Sequence, residues 1–315
     1  MDGPAIRTEA LSKRYGSVDA LCDLSLEVSA GEVVGFLGPN GAGKTTTIRL
    51  LLGLARPTAG RAEIFGLDVA RRTVEAHRRV AYVPGEANLW PSLTGAETLH
   101  LLGRVHGRID AAYRDTLIDR FALDPSKKIR TYSKGNRQKV LLIAALMARA
   151  DLLLLDEPTS GLDPLMEQAF RDSVREAREG GQAVFLSSHI LSEVEALCDR
   201  VAILRSGRLV EYGTLESLRH LSALTVEILF DTAPPDLSAV PGAAHVVVDG
   251  YRVRLQISGP IEPLIQALAG SGVRELLSRE PSLEELFLAH YGPGIGAAAP
   301  ADLQNVAPMP SASRS

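Results

Sequence analysis

Alternating and continuously apolar segments recur along the first two thirds of the chain and predict a sheet built from short strands. Leu24–Val28 alternates apolar and polar residues, which is the pattern of a strand with one buried face. Val33–Leu37 and Asp151–Asp156 carry continuous apolar runs, which are typical of strands buried on both faces of a parallel sheet. Further strands are predicted at Ile6–Leu11, Arg61–Phe65, Val80–Val83, Ala183–Ser187 and Val201–Leu204.

Helical patterns with identifiable first residues lie between these strands. Thr94 and Glu97 form a capping box that begins a helix through about Val105, and Asp163 followed by Pro164 begins another through about Arg178. The alternation of strands and helices predicts a doubly wound α/β core over residues 5–220, with a helical subdomain at about 90–150. The remaining helices are predicted at Ala111–Phe121, from the cap Ser133 along Val140–Ala148, and at Leu191–Leu197.

The character of the sequence changes near residue 220. Residues 221–291 combine alternating segments with two helical ones, and we expect a small, separate α+β domain there. Residues 292–315 are mostly Ala, Pro, Gly and Ser and predict a disordered tail. The strands are predicted at Leu224–Phe230, His245–Asp249 and Arg252–Ile257, and the helices near Pro263–Ala269 and Ser282–Tyr291.

A glycine-rich loop with the form G-x-x-x-x-G-K-T follows the predicted strand Val33–Leu37 and precedes the helix-like segment Thr46–Leu54. Glycines let successive N–H groups turn toward a phosphate, and the helix that follows adds its own free N–H groups. Lys44 then reaches the β- and γ-phosphates, and the Thr45 hydroxyl binds Mg²⁺. The loop predicts that the chain binds a nucleoside triphosphate through Gly38, Pro39, Asn40, Gly41, Ala42, Gly43, Lys44, Thr45 and Thr46.

Two carboxylates, Asp156 and Glu157, follow the most apolar predicted strand. Ligands of α/β sheets bind at the carboxyl ends of the strands, so both side chains are expected beside the glycine loop. There Asp156 holds Mg²⁺ through water, and Glu157 orients or deprotonates the water that attacks the γ-phosphate. An acidic pair at a strand end is common on its own, but the preceding glycine loop and the following Pro158–Asp163 favour the catalytic interpretation.

Net charge, cysteine content and the longest apolar run limit which partners and which environment the chain is expected to have. The chain has 315 residues, 34 basic and 38 acidic, so its net charge of −4 gives no general attraction to nucleic acid. Its two cysteines, Cys22 and Cys198, lie beside apolar residues and are expected to be buried free thiols. The run Val140–Ala148 is much shorter than the roughly 20 residues that cross a bilayer, so work at a membrane requires a spanning partner.

From about residue 5 to 218 the sequence resembles an ABC-type ATPase subunit, with its motifs in the usual order. The resemblance implies a P-loop ABC-type ATPase core with a helical subdomain and a small C-terminal α+β domain. The matching segments are Tyr15 for the aromatic that stacks on adenine, Gly38–Thr46 for the Walker A loop, Tyr132–Gln138 for the ABC signature, Leu152–Glu157 for Walker B, Ser160–Asp163 for the D-loop and His189 for the switch histidine.

The resemblance also implies which residues act together. Lys44, Glu157 and His189 carry ATP hydrolysis, although a histidine after two serines is usually structural when considered alone. A second copy of the chain, related by a two-fold axis, closes on the same ATP with its signature and D-loop. The residues expected to complete this trans site are Ser133, Lys134, Gly135 and Asp163.

Two segments depart from the family pattern. Where the family usually has a glutamine that reaches Mg²⁺, the attacking water and the membrane partner, this chain has Gly85, followed by Glu86. Three outcomes are open: Glu86 substitutes, water fills the gap, or coupling to transport is altered. The signature has Lys134 in place of the commonest glycine and Asn136 in place of glutamine, and Tyr-Ser-Lys-Gly runs resemble the exporter branch of the family.

The functional hypothesis is therefore an ATP-hydrolysing exporter subunit that acts with a separate polytopic permease on the cytoplasmic side of the cell membrane. Its cofactors are ATP and Mg²⁺, its cargo a drug, antibiotic or related compound, and nucleic acid is not an expected partner. Two alternatives stay open: a soluble ABC ATPase with a non-membrane partner, and an ATP-binding regulator of low turnover. Trp90 is expected either to face the permease groove or to pack the helical subdomain. Three roles of the C-terminal domain stay open: regulation, support of the dimer, and stabilisation of the fold.

Overall fold

The computed structural model describes residues 3–107, 110–220 and 224–279. The predicted helix Ser282–Tyr291 and the predicted disordered tail 292–315 lie outside the described residues. The strands are β1 (Ile6–Tyr15), β2 (Val18–Val28), β3 (Val33–Leu37), β4 (Ala59–Ile64), β5 (Leu67–Asp68), β6 (Val80–Val83), β7 (Leu152–Asp156), β8 (Ala183–Ser188), β9 (Arg200–Arg205), β10 (Arg208–Thr214), β11 (Leu224–Phe230), β12 (Ala243–Asp249), β13 (Arg252–Ile257) and β14 (Val273–Arg279).

Helices alternate with the strands as the sequence predicts, and their caps are the expected ones. Thr94 accepts a hydrogen bond from the Glu97 N–H at 3.2 Å, while the Glu97 carboxylate accepts one from the Thr94 N–H at 2.8 Å. The helices are α1 (Lys44–Leu51), α2 (Thr73–His77), α3 (Gly95–His106), α4 (Ala111–Arg120), α5 (Lys134–Met147), α6 (Pro164–Glu179), α7 (Leu191–Leu197), α8 (Leu215–His220) and α9 (Glu262–Leu268).

The central sheet has six strands in the order β10-β9-β3-β8-β7-β6. The five strands from β9 to β6 are parallel, and β10 adds an antiparallel edge. Side chains of β7 alternate between two cores: Leu153 and Leu155 pack with α3 to α7, while Leu152 and Leu154 pack with α1 and the antiparallel sheet. Helical layers on both faces explain why this strand is continuously apolar.

A second sheet, β2-β1-β4-β5, is antiparallel and covers the α1 side of the central sheet. Between the two layers, the rings of Phe36 and Phe185 lie 4.9 Å apart, which fixes β3 against β8. Cys198 is buried as expected, and its burial raises the pKa of its thiol. Cys22 is only partly buried, contrary to expectation, because it lies on β2 between the inward-facing Leu21 and Leu24.

The carboxyl ends of three central strands meet at one edge of the sheet. Leu37, the last residue of β3, pairs with Ser188 at the end of β8, and Asp156, the last residue of β7, pairs with Ser187. The segments that follow β3, β7 and β8, including the glycine loop, therefore begin at the same edge of the sheet. The register of these strands brings the predicted site residues close together.

The C-terminal unit contains the antiparallel sheet β12-β13-β11-β14 and helix α9. Its core is separate, with Ile228, Val253 and Leu264 among the fully buried side chains. The predicted strands and the predicted helix near Pro263–Ala269 are confirmed to within two residues at each end. Strands β10 and β14 were not predicted from the sequence.

Candidate functional site

The glycine loop between β3 and α1 has the geometry of a phosphate cradle. Helix α1 begins at Lys44, and its N-cap Gly43 has φ of 111°, a conformation that L side chains rarely adopt. A Cβ atom at Gly38 would lie 2.7 Å from Ala42 Cβ and 2.8 Å from the Leu204 carbonyl oxygen. Glycine is therefore required at both positions, and the loop N–H groups stay free of side-chain cover.

Lys44 is almost completely buried, and its ammonium group faces the loop. It donates hydrogen bonds to the Gly38 and Pro39 carbonyls at 2.7 and 3.3 Å and lies 3.6 Å from Glu157 Oε1. Phosphate oxygens are stronger partners for this group than neutral carbonyls because they carry charge. A cavity of about 290 Å³ adjoins it, lined by Val18, Asp19, Ala20, Pro39, Asn40, Gly41, Gly43, Lys44, Thr45, Thr46 and Glu157.

Asp156 ends β7 and is only 4% exposed. The Ser187 hydroxyl donates to Asp156 Oδ1 at 2.6 Å, so the carboxylate is held from the neighbouring strand. Asp156 and Thr45 line the same cavity of about 480 Å³. A carboxylate and a hydroxyl are hard oxygen donors, and Mg²⁺ usually takes only one or two protein ligands besides water and phosphate. This donor pair fits the predicted metal.

Glu157 has a left-handed backbone with φ of 47°, which is unusual for a non-glycine residue and disfavoured before the proline at 158. Its N–H is held by Ser187, whose carbonyl and hydroxyl oxygens accept at 3.1 and 3.2 Å. The strained turn projects the carboxylate between a lysine and a histidine: Oε1 lies 3.6 Å from Lys44 Nζ and 3.4 Å from His189 Nδ1. The three predicted catalytic residues thus meet at one oxygen atom.

The predicted trans-site residues lie at the starts of two helices. Ser133 caps α5 by accepting from the Asn136 N–H at 3.2 Å, and Asp163 caps α6 by accepting from the Met166 N–H at 3.1 Å. The D-loop packs directly on the signature, because the Lys134 ammonium donates to the Ser160 hydroxyl at 2.9 Å.

A Cβ atom at Gly135 would lie 2.4 Å from the Gly161 carbonyl oxygen. Glycine is therefore what lets the D-loop backbone approach the first turn of α5. Within one subunit, Ser133 and Asp163 serve as helix caps, and Lys134 lines the same cavity as Asp156 and Glu157.

Gly85 lies directly beside the Walker B strand. A Cβ atom there would lie 3.3 Å from the Asp156 carbonyl oxygen and 3.9 Å from its Cγ atom, so a longer side chain would pass next to the carboxylate. Glu86 lines the same 480 Å³ cavity. Within residues 3–107, 110–220 and 224–279, no three His, Cys, Asp or Glu side chains are grouped as a metal site, so Glu86 does not join Asp156 and Glu157 in such a cluster.

Tyr15, the proposed adenine platform, ends β1. Its ring is exposed, with the Lys13 ammonium 4.8 Å from the ring centre. The cavity around the glycine loop extends to Val18, which pairs with Tyr15 across the hairpin. Tyr15 thus lies near the loop but is not among the residues that line the cavity, and its role in stacking stays a prediction.

The sequence interpretation missed Ser187, which holds both Walker B carboxylate residues. A hydroxyl at the end of a predicted central strand was the available signal. Its partner could be identified only once β8 was known to pair with β7, with Asp156 opposite Ser187.

Known proteins resemble this chain over nearly its whole length. A family model described as ABC transporter matches residues 21–160. The chain is 36% identical to the daunorubicin resistance ATP-binding protein DrrA3 of Streptomyces coeruleorubidus, over 91% of this chain and 96% of that protein. It is 33% identical to the bacitracin transport ATP-binding protein BcrA of Bacillus licheniformis, over 92% of this chain and 98% of that protein.

A solved structure described as the ATP binding subunit of an ABC transporter matches with a TM-score of 0.65 at 35% identity, covering 68% of this chain and 92% of that one. The site geometry and these similarities indicate the same family. The chain belongs to the ABC transporter ATP-binding family and is an ABC-type ATPase of the branch that includes DrrA3 and BcrA.

Proposed function

We propose that this chain is the ATP-hydrolysing subunit of a drug or antibiotic exporter, and that two copies close head to tail on ATP to drive a separate membrane permease. The observation that carries the proposal is the meeting of Lys44, Glu157 and His189 at one carboxylate oxygen. The names of the relatives support the cargo class, since DrrA3 is a daunorubicin resistance protein and BcrA a bacitracin transport protein.

The geometry supports an order of events at the site. Lys44 exchanges its carbonyl partners and Glu157 for the phosphate oxygens of ATP, because charged oxygens bind an ammonium group more strongly. Glu157, released from Lys44, then accepts a proton from the attacking water or orients it, while His189 stays beside Oε1. Thr45 and Asp156 would hold Mg²⁺, and the metal would neutralise charge on the transferred phosphate.

A second candidate anion site, at the start of α5, supports dimerisation. Helix α5 has 14 residues and directs its free N–H groups and dipole from Ser133 toward the surface. One chain needs only one cradle for the γ-phosphate, so the signature is available to ATP bound by a second copy. Lys134 adds a positive charge to this helix start and strengthens the attraction.

A groove on the surface is suited to a permease helix. None of the described helices has the length and apolar character needed to span a bilayer, so another polypeptide must supply the span if the chain acts on a membrane. A cavity of about 540 Å³ presents the exposed apolar side chains of Leu54, Val74 and Val105, with His77 and Arg78 also lining it. An amphipathic helix lays its apolar face into grooves of this kind.

Trp90 does not line this groove, and its side chain is 50% exposed. Its two predicted roles, at a permease contact or within the helical subdomain, both stay predictions. Binding of a permease through the groove would place the subunit on the cytoplasmic side of the cell membrane.

Glu157→Gln tests hydrolysis and dimer closure together. The amide cannot accept the proton of water but keeps the size of the side chain, so we expect ATPase activity to fall by at least about 100-fold. ATP-bound dimers should accumulate and be seen by light scattering. Glu179→Gln, an exposed carboxylate at the end of α6, is the control. A variant that stays monomeric at saturating Mg-ATP would contradict the dimer mechanism.

Affinity purification from native membranes in mild detergent tests the partner. We expect a polytopic membrane protein in near-equal amount, and we expect Leu54→Asp to weaken its recovery while basal ATPase activity is kept. Ribosomal or DNA-associated proteins in its place would favour the soluble alternative. Wild-type turnover no higher than that of Glu157→Gln would favour the regulator.

A further inference from the structure

Glu193 is a buried carboxyl group that the hydrolysis mechanism does not use. It lies on α7 and is only 4% exposed, next to the fully buried Val194. Its Oε2 atom accepts a hydrogen bond from the Ser188 hydroxyl at 2.7 Å, whereas Oε1 has no hydrogen-bond partner among the described residues. A half-satisfied carboxyl in a core is costly, so its short hydrogen bond from Ser188 indicates what the group can do.

The Ser188 hydroxyl connects Glu193 to the loop that carries the switch histidine. It accepts a hydrogen bond from the Ile190 N–H at 3.0 Å while it donates to Glu193. His189 lies between Ser188 and Ile190, so this single hydroxyl bridges the backbone on either side of the histidine.

His189 has little other support. Its side chain is 55% exposed, and its Nδ1 atom lies 3.4 Å from Glu157 Oε1. The N-cap residue of α7, Ile190, has no side-chain hydrogen bond that could fix the start of the helix. The bridge through Ser188 therefore contributes to the position of the backbone on either side of His189.

The surroundings of Glu193 raise the pKa of its carboxyl group. Burial is the main cause that raises the pKa of Glu193, and Glu167 on α6 raises it further, whereas the hydroxyls of Ser188 and Thr159 and the charge of Arg171 lower it. A protonated carboxyl and a glutamine amide both offer an acceptor to Ser188 without burying a charge. Glutamine is therefore the conservative replacement.

We propose that Glu193 is a positioning residue for the switch histidine: it holds the Ser188 hydroxyl against the Ile190 N–H and so keeps His189 Nδ1 beside Glu157. The inference rests on the proposed function, since it assigns His189 a part in hydrolysis. It predicts a loss of turnover rather than of ATP affinity, because the phosphate cradle at Lys44 is untouched.

Three variants of the full chain test this role. Glu193→Ala removes the acceptor, and we expect kcat to fall by about tenfold, the effect of one well-placed hydrogen bond, with the KM for Mg-ATP unchanged. Glu193→Gln should keep at least half of the wild-type turnover. Val194→Ala is the matched control, because it makes a cavity in the same helix without touching Ser188, and it should lower the melting temperature but not kcat.

Hydrogen exchange at the Ile190 amide provides a readout that does not depend on activity. The exchange should be faster in Glu193→Ala than in the wild type and unchanged in Glu193→Gln. Equal turnover in Glu193→Ala and wild type, an equal loss of kcat in Val194→Ala, or an unchanged Ile190 exchange rate would overturn the inference. Absence of ATP turnover in the wild type would refute the proposed function, and the exchange measurement would still decide the role of Glu193.

Discussion

Replacing Ser187 with alanine removes one hydrogen bond between a fully buried hydroxyl and a buried carboxylate. The donor and the Asp156 Oδ1 atom are 2.6 Å apart, and Asp156 is 4% exposed. A hydrogen bond to a charged group contributes about 1.5 to 3 kcal/mol to stability. The Glu157 N–H loses one acceptor but keeps the Ser187 carbonyl at 3.1 Å. We therefore expect unfolding free energy to fall by about 2 kcal/mol.

Thermal unfolding measures this loss of stability. For domains of this size, about 2 kcal/mol corresponds to a decrease in melting temperature of roughly 4 to 8 °C. The control is Thr98→Val, which removes a buried hydroxyl that donates to a neutral carbonyl, that of Thr94, at 2.8 Å. It should cost no more than about 1 kcal/mol.

A double-mutant cycle with Asp156→Asn tests the physical reason. In that background the acceptor at position 156 carries no charge, so Ser187→Ala should destabilise by only about 1 kcal/mol. If Ser187→Ala costs the same in both backgrounds, or less than Thr98→Val, the charge on Asp156 is not what makes this hydrogen bond important.

Three further outcomes are expected. Ser133→Arg should abolish ATPase activity while ATP binding by the monomer, measured by equilibrium titration, stays nearly intact; an equal loss of both would contradict the trans-site role. Gly85→Gln places an amide beside Asp156 and should raise turnover by a few fold, about the value of one added hydrogen bond; unchanged turnover would mean that Glu86 or water already fills this role. The pKa of Glu193 is raised from 4.5 in the folded protein. Above pH 4.5 the folded protein therefore holds more protons than the unfolded chain. The stability that this group contributes falls as the pH rises through the raised pKa. Glu193→Gln lacks this dependence and should gain stability relative to wild type between about pH 4 and pH 8 in urea unfolding; a constant difference across that range would contradict the burial argument.

Most of the core and of the phosphate site was predictable because its signals lie in short segments of sequence. A Cβ atom at Gly38 would lie 2.8 Å from the Leu204 carbonyl oxygen and one at Gly43 would lie 2.7 Å from that of Ala20, and the motif carries the need for glycine although these neighbours are distant in sequence. The buried strand β7 is predictable because both of its faces are apolar. Helix starts at Thr94 and Asp163 were confirmed because capping depends on residues only three positions apart.

Edge strands and long-range contacts could not be predicted in the same way. Strand β10 is partly exposed on both faces, and β14 carries Leu276 and Leu277 side by side, both exposed, so neither strand shows a clear alternation. The contacts of Ser187 and Ser188 depend on the pairing of β8 with its neighbours and on α7. The sequence also identified Gly85 as a departure, but only the structure shows how close it lies to Asp156.

Successive side chains of a strand point to opposite sides, so the two adjacent serines at the end of β8 contact different parts of the site. Ser187 holds the Walker B residues and Ser188 holds the loop of the switch histidine. Strand β8 is buried along its whole length and paired on both sides, by β3 and β7. Glu157 and the loop of His189 are thus both tied to the end of one buried strand, through Ser187 and Ser188. We therefore expect the elements around β8, rather than β8 itself, to move when the ATP site opens or closes, and the distance between Glu157 and His189 to stay nearly constant.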